Sequence, residues 1–203
     1  MSYRYAFDGE YYKTADRWMQ GLIFIFIQNR VYCFKKGDNM DRLEHEIERV
    51  RARLGSSLFL LGHYYQDDAI LRHVDAVGDS LELARRAAAC TSAQRLVFCG
   101  VRFMAETADL LTAPGQRVYM PETGAGCPMA DMAGASQAEA CAARVTPVWG
   151  RDWVPIVYVN STAALKAFCG RRGGSACTSS NAFRVFRWAL DAGKRILFMP
   201  DEH

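Results

Sequence analysis

One alternation constrains this chain more than any other feature. Short apolar runs end abruptly in polar residues, and each is followed by a stretch with helical spacing. "SSLFLLGHYYQ" (56–66) is such a run and stops at His63; "QRLVFCG" (94–100), "QRVYMP" (116–121), "WVPIVYVN" (153–160) and "KRILFMP" (194–200) are others. Between them lie "DSLELARRAAA" (79–89), "RFMAETADLL" (102–111), "SQAEACAARV" (136–145), a helix starting near Ser161, and "NAFRVFRWALDAG" (181–193). Residues 41–54 add a leading helix, with Leu43, Ile47, Val50 and Leu54 on one face. "HVDAVGDS" (73–80) is a brief strand at best, and "SAC" (175–177) another short one. Two capping boxes are expected, Asp79 with Glu82 and Ser136 with Glu139. Apolar strands alternating with helices imply βαβ units and a parallel sheet. The expected fold class is therefore α/β, in three-layer αβα units.

The alternation is itself repeated. "DSLELARRAAACTSAQRLVFCG" aligns with "SSNAFRVFRWALDAGKRILFMP" at an offset near one hundred residues, with one shift in the loop. Ser80 then falls on Ser179, and Leu96 and Phe98 fall on Ile196 and Phe198. The expected organisation is an extension of unknown role (1–40), a first αβα domain with its N-terminal helix (41–150), and an incomplete second one (151–203). After Phe98 the first copy runs on through further elements. The second stops at His203, so the chain reads as a piece of something longer. Met40 is a candidate alternative start.

Composition excludes some classes. Half of the 203 residues are hydrophobic and 23% are charged, enough for a core and against disorder. A net charge of +3 gives no ground for a nucleic-acid partner. "GLIFIFI" (21–27) is far short of the roughly 20 residues a membrane span needs, and it has neither the flanks nor the cleavage site of a signal peptide. Seven cysteines without a CxxC pair suit a reducing, cytoplasmic setting. Cys90, Cys99, Cys141 and Cys169 fall in expected core elements and read as packing residues; Cys177 is open.

In open α/β sheets, ligands bind outside the carboxyl ends of the strands. That is where "HYYQ", "GDS", "CGVRF", "PETGAGC", "YVNST", "CTSSN" and "PDEH" fall. His63 and Tyr65, two apart, are suited to holding an anion and moving a proton, or are a satisfied histidine and a packing tyrosine. Ser80 and Ser179, near helix starts, are anion contacts or plain caps. Tyr158 and Asn160 repeat the one-face spacing, or simply end a strand. Cys127, on a Gly/Pro hook in "GAGCPMADM" (124–132), is a metal ligand, a nucleophile or neither, with no local zinc partner.

Taken in order, "GHYYQ", "GDSLELAR", "VFCGVRFMAETA", "AGCPMADM", "YVNSTAALKAF", "CTSSNA" and "ILFMPDEH" resemble quinolinate synthase, the iron–sulfur enzyme family of NAD biosynthesis, over residues 41–203. The resemblance implies three similar αβα domains around a pseudo-threefold axis, with the active site where they meet. It implies condensation of iminoaspartate with dihydroxyacetone phosphate, losing phosphate and two waters to give quinolinate. It further implies a [4Fe–4S] cluster on three cysteines, one iron left open as a Lewis acid. Cys127 matches the first of these cysteines. His63, Ser80, Tyr158, Val159, Asn160 and Ser179 match substrate-binding positions, and Tyr65, with His63, the proton-transfer position. The family's other two cluster cysteines, its "HPE" segment and a threonine have no match here, and "PDEH" matches only the start of its motif. This polypeptide alone is therefore expected to lack the activity. Two rival readings are an inactive truncated remnant of the family, and a small α/β module binding a dicarboxylate or phosphate through Ser80 and Ser179.

Overall fold

A computed structural model describes residues 22–27, 30–35 and 40–200. Within the expected extension, β1 (Leu22–Ile27) and β2 (Arg30–Lys35) pair antiparallel; residues 1–21, 28–29 and 36–39 of that extension, and the end of "PDEH", lie outside the described residues. The remaining elements follow the anticipated alternation: α1 (Met40–Leu54), β3 (Leu58–His63), α2 (Asp68–Leu71), β4 (Ala76–Gly78), α3 (Ser80–Ala89), β5 (Arg95–Cys99), α4 (Arg102–Leu111), β6 (Arg117–Tyr119), α5 (Pro128–Asp131), α6 (Ala135–Trp149), β7 (Trp153–Tyr158), α7 (Ala163–Arg171), β8 (Ser175–Cys177), α8 (Ala182–Asp191) and β9 (Arg195–Met199). The short helices α2 and α5 are additions to that expectation. Two parallel sheets result, with strand orders β4-β3-β5-β6 and β8-β7-β9. The α/β class with parallel sheets is as expected.

Each sheet is sandwiched because its strands are apolar on both faces. On the first, Leu61, Leu96 and Phe98 pack against Leu83, Ala84 and Ala87 of α3 and Phe103, Met104, Ala105 and Ala108 of α4. The other face takes α2 at close range: a Cβ on Gly62 would lie 2.8 Å from Leu71 Cδ2. The second sheet splits its alternate residues cleanly. Val157 and Met199 face Leu165, Phe168 and Cys169 of α7 and Ala138 and Ala142 of α6, whereas Val154, Ile156 and Phe198 face α8. Gly174 is forced: a Cβ there would stand 2.0 Å from Pro155 O.

Strand register shows that the repeat is geometric. Leu61 pairs with Ala76 on one side and Phe98 on the other; Ile156 pairs with Ser175 and Phe198 in the same way. Counting outward, His63 and Tyr158 occupy equivalent positions, opposite Gly78 and Cys177 respectively. Ser80 and Ser179 are then equivalent too, each two residues past its short strand.

Three local expectations need correction. At α6 the cap is Gly134, whose N–H donates to Gln137 Oε1 at 2.8 Å; Glu139 pairs instead with Arg172, at 2.6 Å. At α3, Asp79 does cap, accepting from Leu81 N–H and Glu82 N–H at 2.9 and 2.8 Å, but the Glu82 carboxylate pairs with Arg86 at 2.6 Å. The helix expected from Ser161 begins at Ala163 because Thr162 caps it, accepting from Leu165 N–H.

Candidate functional site

β3 delivers His63 to its carboxyl end, where the imidazole is only 6% exposed. The chain then turns, with Gln66 N–H donating to His63 O at 2.8 Å. Tyr65 N–H points at His63 Nδ1, 3.4 Å away. Nδ1 therefore accepts, and the ring proton sits on Nε2. Burial lowers the imidazole's pKa, with the Asp79 carboxylate opposing. The group is thus a neutral donor at physiological pH. Tyr65 lies edge-on to the imidazole at 4.8 Å between ring centres and is 79% exposed. Ser80 is half-buried at the first turn of α3.

β7 delivers Tyr158 to the equivalent place. Its hydroxyl meets Ser179 Oγ at 2.5 Å. Beyond it the backbone folds tightly: Val159 N–H donates to Cys177 O at 2.8 Å, Ser161 N–H to Val159 O at 2.8 Å, and Ser161 Oγ to Tyr158 O at 2.7 Å. Val159 is buried, its N–H is used, and its carbonyl accepts from both Ser161 N–H and Lys166 Nζ, so its backbone polar groups are engaged within the fold.

Cys127 follows a loop tied to the start of α4. Arg102 N–H donates to Ala125 O at 2.8 Å, and Arg102 Nη2 to Thr123 O at 2.7 Å. Glu122 Oε1 accepts from Gly124 N–H at 2.5 Å. The thiol is half-buried against the first core, and Asn160 Nδ2 lies 4.0 Å from its sulfur. This contact brings the end of β7 to the loop that follows β6.

A second junction lies beside it. Glu106 Oε2 accepts Ala163 N–H at 2.7 Å, taking a free donor at the start of α7. Lys166 donates to Val159 O at 2.8 Å and to Ser161 O, with Phe103 5.7 Å from its nitrogen. Burial pulls the lysine's pKa down to about 8, with Glu106 opposing.

The sequence-derived residues thus meet in pairs: His63 with Tyr65, Tyr158 with Ser179, Asn160 with Cys127. Sequence reading overlooked Glu106, Lys166, Arg102 and the buried Ser161. The signal for Lys166 was the one charge in the apolar run "AALKAFC"; Glu106 shares "FMAETADLL" with Asp109 and had no such signal. The cysteine expectations divide. Cys169 and Cys177 are buried and Cys99 is half-buried; burial raises all three pKa values, with Cys99 and Cys169 near 11. Cys141 is exposed on α6 and Cys90 half-buried at the end of α3, so neither is a core residue. Among the described residues no three His, Cys, Asp or Glu side chains converge as a metal site, and no helix is long and apolar enough to cross a membrane.

Comparison with known proteins agrees with these motifs. The chain is 49% identical over 179 residues to the quinolinate synthase of Geobacillus thermodenitrificans, covering 84% of this chain and 49% of that protein. It is 49% identical over 164 residues to the quinolinate synthase of Corynebacterium glutamicum (80% and 42% covered) and 52% identical over 161 residues to that of Halalkalibacterium halodurans (79% and 44%). It spans about half the length of the curated relatives it matches. A family profile described as "Quinolinate synthetase A protein" matches residues 45–203. By that match, which takes in most of the sequence, the chain belongs to the quinolinate synthetase A protein family.

Proposed function

We propose that this chain supplies part of a quinolinate synthase site, for condensation of iminoaspartate with dihydroxyacetone phosphate in cytoplasmic NAD biosynthesis. One observation carries the reading: motif residues stand at the register-equivalent ends of β3 and β7, and the Asn160–Cys127 contact brings the end of β7 to the motif loop that follows β6. Iminoaspartate is a four-carbon dicarboxylate. The Nε2–H of neutral His63 and the hydroxyls of Ser80, Tyr158 and Ser179 are donors suited to carboxylate or phosphate oxygens, and the Asn160 amide adds two more. Tyr65, exposed beside the imidazole, is placed to pass a proton during ring closure.

Among the described residues, the family's iron–sulfur cofactor meets a donor set too small for it. Cys127 fits as one ligand, but a four-iron cluster takes several thiolates, and half-buried Cys99 and buried Cys169 and Cys177 all have raised pKa values. No step is therefore routed through a cluster. The expected result of anaerobic iron and sulfide loading of this polypeptide is no four-iron cluster and no quinolinate.

Calorimetry with succinate, a stable four-carbon dicarboxylate, tests the binding half. Wild type should bind, and Tyr158→Phe and Asn160→Ala should each weaken binding about tenfold, the scale of one lost hydrogen bond to a charged group. Unchanged affinity in both variants overturns the reading.

A further inference from the structure

The two carbonyls that Lys166 engages belong to Val159 and Ser161, the residues on either side of Asn160. The lysine projects from the first turn of α7. That turn is itself held by Glu106 of α4, through Ala163 N–H. The chain between is short and sharply bent, closed by the Ser161 N–H to Val159 O bond. A charged donor gripping both ends of such a bend fixes its orientation, because rotating either peptide breaks a bond in a partly desolvated place. The Asn160 side chain leaves this bend toward Cys127, and Tyr158, the last residue of β7, adjoins the bend with its hydroxyl on Ser179.

We infer that Lys166 is a positioning residue: it clamps the 159–161 bend so that Asn160 faces Cys127 and Tyr158 faces Ser179, and Glu106 anchors the clamp on α4. The inference rests on reading these strand-end loops as the substrate site. The competing account is that the lysine stem merely packs against Phe103. Lys166→Met keeps a stem and removes the donors; Lys166→Arg restores donors; Glu106→Gln keeps the acceptor and removes the charge.

The experiment uses the full 203-residue chain. Amide hydrogen exchange across 158–162 and alkylation of Cys127 by iodoacetamide are both read by peptide mass spectrometry. Lys166→Met should speed exchange at 159–161 about tenfold with the α3 amides unchanged. It should also move the Cys127 alkylation rate in the same direction as Asn160→Ala does. Lys166→Arg should recover most of both effects, and Glu106→Gln should show a smaller version of the exchange effect. Wild-type behaviour in Lys166→Met overturns the inference, as does a Lys166→Arg variant indistinguishable from it. Succinate affinity separates the two readings. If Asn160→Ala and Tyr158→Phe weaken it and Lys166→Met does not, the clamp fails and the site stands. If the bend loosens in Lys166→Met while none of the three changes affinity, the clamp of the bend stands and the substrate site fails.

Discussion

Replacing Lys166 by methionine should change how the stability of the fold depends on pH, and the sign follows from where the lysine sits. Its pKa falls from 10.5 to about 8 because burial disfavours the ammonium more than Glu106 favours it. At ~1.4 kcal/mol per pH unit, that gap corresponds to about 3 kcal/mol. Below about pH 8 the lysine is charged both folded and unfolded, and the folded state carries the full cost of burying it. Between about pH 8 and 10.5 the folded lysine is neutral while the unfolded one still binds a proton, so stability rises with pH. Above that window the cost has gone. Cys99 and Cys169, held near 11, act in the opposite sense from about pH 9 upward, but they are present in both proteins and cancel in the difference. The assay is urea unfolding followed by circular dichroism, at steps from about pH 7 to 10.5. The stability of wild type minus that of Lys166→Met should climb by about 3 kcal/mol across the range. A difference that stays flat would refute the claim that this ammonium is desolvated.

Three further outcomes are expected. Gly174→Ala should cost about 3 kcal/mol or more in thermal unfolding, since the new methyl would stand 2.0 Å from Pro155 O and 2.6 Å from Cys169 Sγ, neither free to move. Phe98→Ala should cost about 3–5 kcal/mol in the same measurement, because the ring is wholly enclosed by α3 and α4. In thiol mapping with iodoacetamide near neutral pH, exposed Cys141 should react well before half-buried Cys99 and buried Cys169, whose thiols are held protonated; faster labelling of Cys169 than of Cys141 contradicts the packing of α7.

Much of the fold was legible because it depends on local pattern. The strand ending at His63 and the helix from Ser80 could be placed within a residue or two, since an apolar run and an aspartate cap are written in adjacent letters. The repeat was legible for the same reason, and strand register sharpened it into an equivalence between His63 and Tyr158. What could not be read was anything decided across the chain. Glu139 looked like half of a capping box, but Arg171 and Arg172, distant in sequence, claim it. Cys141 looked like core because its neighbours are alanines, yet α6 turns Ala138 and Ala142 inward and leaves the thiol outside. Lys166 and Glu106 were invisible as a unit, because sixty residues separate them and only the packing of α4 near α7 brings them close.

The matched register of the two sheets has a further consequence. One backbone frame, used twice, holds an imidazole at the tip of one central strand and a phenol at the tip of the other. Chemical difference between the halves then requires no difference in scaffold. A frame of this kind can present unlike groups to two unlike molecules, and its selectivity can be retuned by exchanging the tip side chains while the strands beneath keep their pairing.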